Sequence, residues 1–297
     1  MKSPDFDYIK VTSVDEALEL LVRHGDDARI LAGGQTLLAT LNMRLSMPAL
    51  LIDITGIEAL RGIALGSGQL SIGALTTHAE VAASPLVAEH APMLCAAAPH
   101  IAHAAIRNAG TWGGSIAFAD PAAEWPCCLA ALDGVVVVQG PRGRRRIPAG
   151  AFFQDLYTTD LQADEIVVGA DVAVATAADW FGFDELARRH GDYAVAGVAV
   201  AARFSGAVVE SVRMAFLGMG NTPVRVPRAE QSLIGAALDQ QSIAQAESIL
   251  REELDPPADL THGTPAKRQL AAVLARRMLT AAGASRRALS AGANRTP

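Results

Sequence analysis

The alternation of apolar and polar positions divides the chain into three stretches of different texture. Residues 14–23 carry apolar side chains at helical spacing, with Ser13 placed to cap the first turn. Residues 28–32 predict a short strand, 36–45 return to helical spacing, and 50–54 (Leu-Leu-Ile-Asp-Ile) predict a buried strand. Strands separated by a helix predict parallel pairing in a compact α/β unit. The next stretch predicts two short strands in 60–72 around Gly66-Ser67-Gly68, a hairpin signal. A helix follows from a Thr77 or Thr76 cap to Ala83, then an Ala-rich helix over 92–106 and a third over 121–132, with Pro121 in its first turn. Strands are predicted over 135–138 and 165–174, with a polar return at 143–148. From Trp180 the texture changes again. Residues 181–189, 195–204 and 208–217 read as an antiparallel meander, the last two turned by Ser205-Gly206. Residues 228–238, 242–253 and 264–282 read as helices, and 283–297 as a frayed polar tail. The fold class is therefore α+β, with units expected over 1–55, 56–177 and 178–297.

Composition narrows the function. The chain has 297 residues, 51% of them hydrophobic, which is enough for two or three cores. Its apolar runs are broken within about ten residues, too short to span a membrane. Met1-Lys2-Ser3-Pro4-Asp5 leads in without an apolar signal region, so a cytoplasmic location is expected. A net charge of -6 disfavours a nucleic-acid partner, and the basic run 142–146 reads as a solvated hairpin turn. Three cysteines without a C-x-x-C argue against a disulfide framework, an iron–sulfur cluster or a structural zinc within the chain. Cys127 and Cys128 read as small buried hydrophobes.

Two glycine pairs carry the candidate chemistry: Ala32-Gly33-Gly34-Gln35-Thr36 and Gly110-Thr111-Trp112-Gly113-Gly114-Ser115. Adjacent glycines serve where the backbone takes positive φ or another group must approach closely. With Thr, Gln and Ser beside them, such turns present N–H and hydroxyl donors to an anion. Two of them suit a diphosphate held from both sides, although each alone also reads as plain turn geometry. Neither is a Walker A loop or a G-x-G-x-x-G fingerprint. Asp120 and Glu124 follow the second pair. Asp120 reads best as the N-cap of the Pro121 helix and Glu124 as a solvated helix residue, and both could also accept hydrogen bonds from ribose or ribityl hydroxyls. His78, His100 and His103 lie nearby. The last two share a predicted helix face with no third ligand, so packing roles are expected and no metal site.

These segments, together with Ile52-Asp53-Ile54, 73–78, 188–194 and 218–225, resemble the FAD-binding medium subunit of molybdenum hydroxylases, the xanthine dehydrogenase and carbon monoxide dehydrogenase group. The resemblance spans nearly the whole chain in order. It implies a vanillyl-alcohol-oxidase-type FAD domain in two subdomains, followed by a C-terminal domain with a three-stranded antiparallel sheet and helices. By carry-over, Ala32, Gly33, Gly34, Gln35 and Thr36 clasp the FAD diphosphate with Thr111, Trp112, Gly113, Gly114 and Ser115. Asp120 and Glu124 lie along the ribityl or adenosine portion, Leu161 and Ile166 pack near the cofactor, and Tyr193 shields the flavin ring. Trp112 stands where the family has a small aliphatic residue, and Ala109 where arginine is frequent. The resemblance implies an electron-transfer subunit with no catalytic side chain of its own. Its partners would be a small subunit with [2Fe-2S] clusters and a large subunit with the molybdopterin cofactor, assembled as a dimer of heterotrimers. A self-contained FAD oxidase or dehydrogenase, and a module of this fold that has lost FAD, are the competing readings.

Overall fold

The computed structural model describes residues 2–293. Three sheets organise it. The first is a parallel sheet in which Leu50–Asp53 lies between Asp7–Lys10 and Ala28–Leu31. The outer strand Asp7–Lys10 is exposed at all four positions, so it carries no apolar alternation by which the sequence could announce it. The helix Val14–His24 packs here. The Ser13 hydroxyl accepts from the Glu16 amide at 3.2 Å, and Ala17, Leu18, Leu20 and Leu21 are buried.

The second sheet is antiparallel and five-stranded, in the order Ile63–Gly66, Gln69–Gly73, Ile166–Ala173, Val135–Gly140, Gly143–Pro148. Ile166–Ala173, arriving late in the chain, takes the centre and is buried at seven of its eight positions. The basic run is only partly solvated. Arg145 bonds Glu165 at 2.7 Å and Asp160 at 2.9 Å, and Arg146 bonds the buried Asp171 at 2.6 Å, which ties the edge strand to the sheet centre.

The third sheet contains the expected meander, Asp179–Ala187, Ala194–Ser205 and Val208–Leu217, plus a two-residue fourth strand, Val224–Arg225. Helices Pro227–Leu233, Gln240–Glu253 and Thr264–Ala293 cover its core.

Three helical expectations are corrected. The run 92–106 is broken into Pro92–Ala97, a 3-10 turn Ala98–His100 and Ala104–Arg107, because Pro99 lacks an N–H and Ala102 adopts φ +42°. His100 and His103 therefore share no helix face. The helix expected at 121–132 starts at Glu124, with Ala123 at its N-cap. Pro126 is tolerated because it lies in the first turn. The last helix does not fray at Gly283 but continues to Ala293. Its anchors are tertiary: a Cβ on Gly283 would press on the Leu238 carbonyl at 2.5 Å, and Arg287 donates to that oxygen at 3.0 Å. Arg286 is buried, donates to the Ala177 carbonyl at 2.9 Å and lies 4.8 Å from the Phe204 ring centroid. Residues 294–297 of the expected tail lie outside the described residues.

Candidate functional site

The two glycine segments meet at a cavity of about 770 Å³, within the range of cofactor pockets. They meet because Gly33 lies against the backbone of Ala109 and Gly110. A Cβ at Gly33 would overlap the Ala109 carbonyl oxygen. Gly34 has φ +70°, the left-handed conformation that lets the strand Ala28–Leu31 turn into the helix Leu37–Asn42. Between these elements the amides of Gly33, Gly34, Gln35 and Thr36 donate to no acceptor among the described residues, while the Gln35 side chain is folded back onto the Gly33 carbonyl at 2.9 Å. Successive free amides at a cavity wall are the donor set that a diphosphate requires.

The second segment is built differently from the open cradle expected. Residues 112–118 form a helix, with the Thr111 hydroxyl accepting the Gly114 amide at 3.2 Å. The Trp112 and Gly113 amides donate to the carbonyls of Thr76 and Ala74, each at 2.8 Å. Glycine is required at 110 and 113 by packing: a Cβ at Gly110 would lie 2.7 Å from His78 Nε2, and one at Gly113 would overlap the Ala74 methyl. The residues of this segment that line the cavity are Gly110, Thr111, Gly113, Gly114 and Ser115. Main-chain donation is thus concentrated on the first segment.

Fourteen of the fifteen sequence-predicted residues line the cavity: Ala32, Gly33, Gly34, Gln35, Thr36, Thr111, Gly113, Gly114, Ser115, Asp120, Glu124, Leu161, Ile166 and Tyr193. Trp112 is the exception. It is fully buried behind the wall, its ring centroid 5.2 Å from that of Trp125. Asp120 is not a helix cap. Its carboxylate accepts the Ala122 amide at 2.9 Å in a turn that precedes the helix Glu124–Leu132. Glu124 is not a solvated helix residue: burial, reinforced by repulsion from Glu185, pushes its carboxyl up to about 8. Asp120 is likewise raised by burial.

Among the aromatic and histidine residues of the wall, His78 was expected only to pack, Tyr193 was expected at the site, and Tyr157 was not singled out from sequence. His78 is a buried packing residue whose Nδ1 accepts the Trp125 indole N–H at 2.8 Å. Burial, with help from the nearby Arg107, lowers its imidazole to about 4, so it is neutral. Tyr157 adopts φ +52° at the tip of the small hairpin Phe153–Asp155 and Thr158–Thr159, with its ring centroid 5.0 Å from that of Phe118. Tyr193 is exposed over 69% of its surface, and partial desolvation followed by the charge of Asp120 raises its phenol. No sequence signal marks the 153–159 hairpin itself as a cavity wall, although Leu161 and Ile166 just after it were expected there. No group of His, Cys, Asp and Glu among the described residues could hold a metal ion.

Residues 4–172 match the family described as the FAD binding domain in molybdopterin dehydrogenase, and residues 181–282 match the CO dehydrogenase flavoprotein C-terminal domain. Among curated proteins, the chain is 40% identical over 265 residues to the 6-hydroxypseudooxynicotine dehydrogenase complex subunit alpha of Paenarthrobacter nicotinovorans, covering 89% of each chain. It is also 40% identical over 264 residues to the nicotine 6-hydroxylase medium subunit of the same organism, covering 89% of this chain and 92% of the relative. Among solved structures, a chain of the carbon monoxide dehydrogenase of Hydrogenophaga pseudoflava, in a form lacking the Mo-pyranopterin moiety, superposes with a TM-score of 0.93 at 37% identity. That match covers 96% of this chain and 99% of the other.

Proposed function

The chain belongs to the FAD-binding medium subunits of the molybdenum hydroxylases, and from that premise we infer that it is the electron-transfer subunit of such an oxidoreductase complex. The observation that carries this reading is the row of free amides at 33–36, held against the second glycine segment at the wall of a cavity large enough for a dinucleotide. Those amides would hold the diphosphate, with the Thr111 and Ser115 hydroxyls as further donors on the cavity wall. Asp120 and Glu124 would accept from the sugar-like hydroxyls, Leu161 and Ile166 would supply apolar contact, and Tyr193 would shield the ring. When bound, FAD accepts two electrons and passes them on singly or in pairs. The chain's own residues bind and orient the cofactor, limit water at its ring and set the protonation of the wall.

Electrons enter from [2Fe-2S] clusters on a small partner subunit. They originate at a molybdenum cofactor on a large one, where an N-heterocycle, an aldehyde or CO is oxidised with water, and they leave to an external acceptor. The two relatives named for nicotine-derived substrates favour an N-heterocycle. A dimer of heterotrimers in the cytoplasm is the assembly this implies. No helix among the described residues is long and apolar enough to cross a membrane.

The test is direct. The purified chain, alone or after incubation with FAD, is expected to show a flavin absorption spectrum at one cofactor per chain. It is also expected to co-purify with an iron–sulfur and a molybdenum subunit when the three are co-expressed. A chain that remains colourless with excess FAD refutes the reading. A coloured chain that oxidises substrate unaided and recruits no partner is instead a self-contained oxidase.

A further inference from the structure

One turn of the cavity wall is held in a conformation that its residue resists. Ala102 lines the cavity beside the buried Ile101 and has φ +42°, in the left-handed region that an alanine side chain disfavours. Such strain persists only where the surroundings impose it, and it concentrates at ligand sites. The Ala102 amide donates to no acceptor among the described residues, so no main-chain bond of its own offsets the strain. The offset comes from Arg107. Its half-buried side chain folds back from the end of the helix Ala104–Arg107, and Nη1 donates to the Ile101 carbonyl at 2.9 Å and to the Ala102 carbonyl at 3.0 Å. Arg107 forms no ion pair among the described residues and does not itself line the cavity.

We propose that Arg107 is a positioning residue: it clamps the Ile101-Ala102 turn in its strained, wall-forming conformation and thereby sets how tightly the chain holds its flavin. The proposal rests on the reading of the cavity as a flavin site. Without the clamp, Ala102 relaxes toward negative φ and the turn leaves the wall. The binding-competent fraction of the chain then falls, and the apparent dissociation constant rises in inverse proportion to that fraction.

The turn is also a junction. On one side, the Ile106 carbonyl accepts the Gly110 amide at 2.7 Å, so the helix that carries Arg107 leads directly into the second glycine segment, against which Gly33 packs. On the other side, His103 lies against the loop from the third sheet. A Cβ on Gly191 would come 2.5 Å from His103 Cε1, and Gly191 and Tyr193 line the same cavity. A shift of Ile101 and Ala102 therefore disturbs wall residues of both neighbouring segments. Arginine suits the clamp because its planar guanidinium is pre-organised and loses little freedom per hydrogen bond.

FAD is titrated into the cofactor-free full chain, and its dissociation constant is read from flavin fluorescence. Arg107→Met is expected to weaken FAD about tenfold or more, the worth of a charged hydrogen bond. Arg107→Lys, which keeps a donor, is expected to weaken it less. Ala102→Gly removes the strain, because glycine takes positive φ freely. Alone it is expected to leave the affinity unchanged, and combined with Arg107→Met it is expected to restore affinity several-fold. An arginine that served folding alone would not be rescued by glycine at position 102. Affinity that falls together with the unfolding midpoint, with no recovery in the double variant, makes Arg107 a structural residue and overturns the clamp. Should Arg107→Met fail to fold, Arg107→Lys with and without Ala102→Gly carries the same comparison. A wild type that never takes up FAD refutes the reading of the site, and the clamp with it. A wild type that binds FAD, with unaltered affinity in the Arg107 variants, refutes the clamp alone.

Discussion

Gly33 shows how a single absent side chain organises the site. A methyl group there would overlap the Ala109 carbonyl and separate the two glycine segments. Gly33→Ala is expected to cost about 1–3 kcal/mol of stability as an overpacking substitution and to yield a chain depleted of flavin. Denaturant titration and the flavin absorbance of the purified protein measure the two effects. Gly34→Ala tests the neighbouring position differently, because its φ of +70° strains any L side chain there. Glu124 carries a pH signature. Its carboxyl rises from an ordinary 4.5 to about 8 in the folded state, so its contribution to stability is fully present below about 4.5 and is lost as pH rises through about 8. Thermal unfolding of the cofactor-free chain at a series of pH values is expected to show wild type losing stability over that window relative to Glu124→Gln. A constant difference between the two would mean that Glu124 ionises normally. The imidazole of His78 titrates with the opposite sense, losing stability as pH falls from about 6.5 through about 4, so the comparison is best made above that range.

At the scale of elements, local signals and tertiary contacts pull apart at identifiable places. The capping residues were legible: Ser13 caps its helix, and Thr77 forms a full capping box with Glu80. Both depend only on residues within a turn. The Asp120-Pro121 pair carried an equally good local signal for a cap, yet the helix begins four residues after Asp120. The Pro121 carbonyl instead accepts the Gly218 amide at 2.8 Å, a contact almost a hundred residues away in sequence. The last helix is the clearest case. Gly283 and the polar residues after it read as an end, whereas Arg286 and Arg287 are held by carbonyls of Ala177 and Leu238. Arg286→Ala is expected to lower the unfolding free energy by about 1–3 kcal/mol, through loss of a charged hydrogen bond and the contact with Phe204. Increased hydrogen exchange is expected in the final three turns. Unchanged exchange there would mean that the helix is held elsewhere.

For the whole molecule, the cavity is bounded by all three sheet-bearing regions: strand-to-helix amides from the first, residues 111–124 and the 153–159 hairpin from the second, and Gly191 to Tyr193 from the third. A ligand touching all three couples their stabilities. FAD at a hundredfold excess over its dissociation constant is expected to add about 2.7 kcal/mol. That should appear as a concentration-dependent rise in the unfolding midpoint, and a midpoint indifferent to FAD would place the cofactor elsewhere. By itself the sequence determined the three textures, the α+β class, the parallel first sheet, the meander and fourteen of the wall residues. The first four follow from periodicity and from cap and turn chemistry, whereas the wall residues came by carry-over from the resemblance to the medium-subunit family. Only the tertiary structure decided which glycines pack against a distant backbone, that Trp112 lies behind the wall, and that Glu124 is half-buried at the cavity rather than fully solvated. Those outcomes depend on which distant backbone fills the space beside each residue, and neighbours brought together by folding leave no period along the chain.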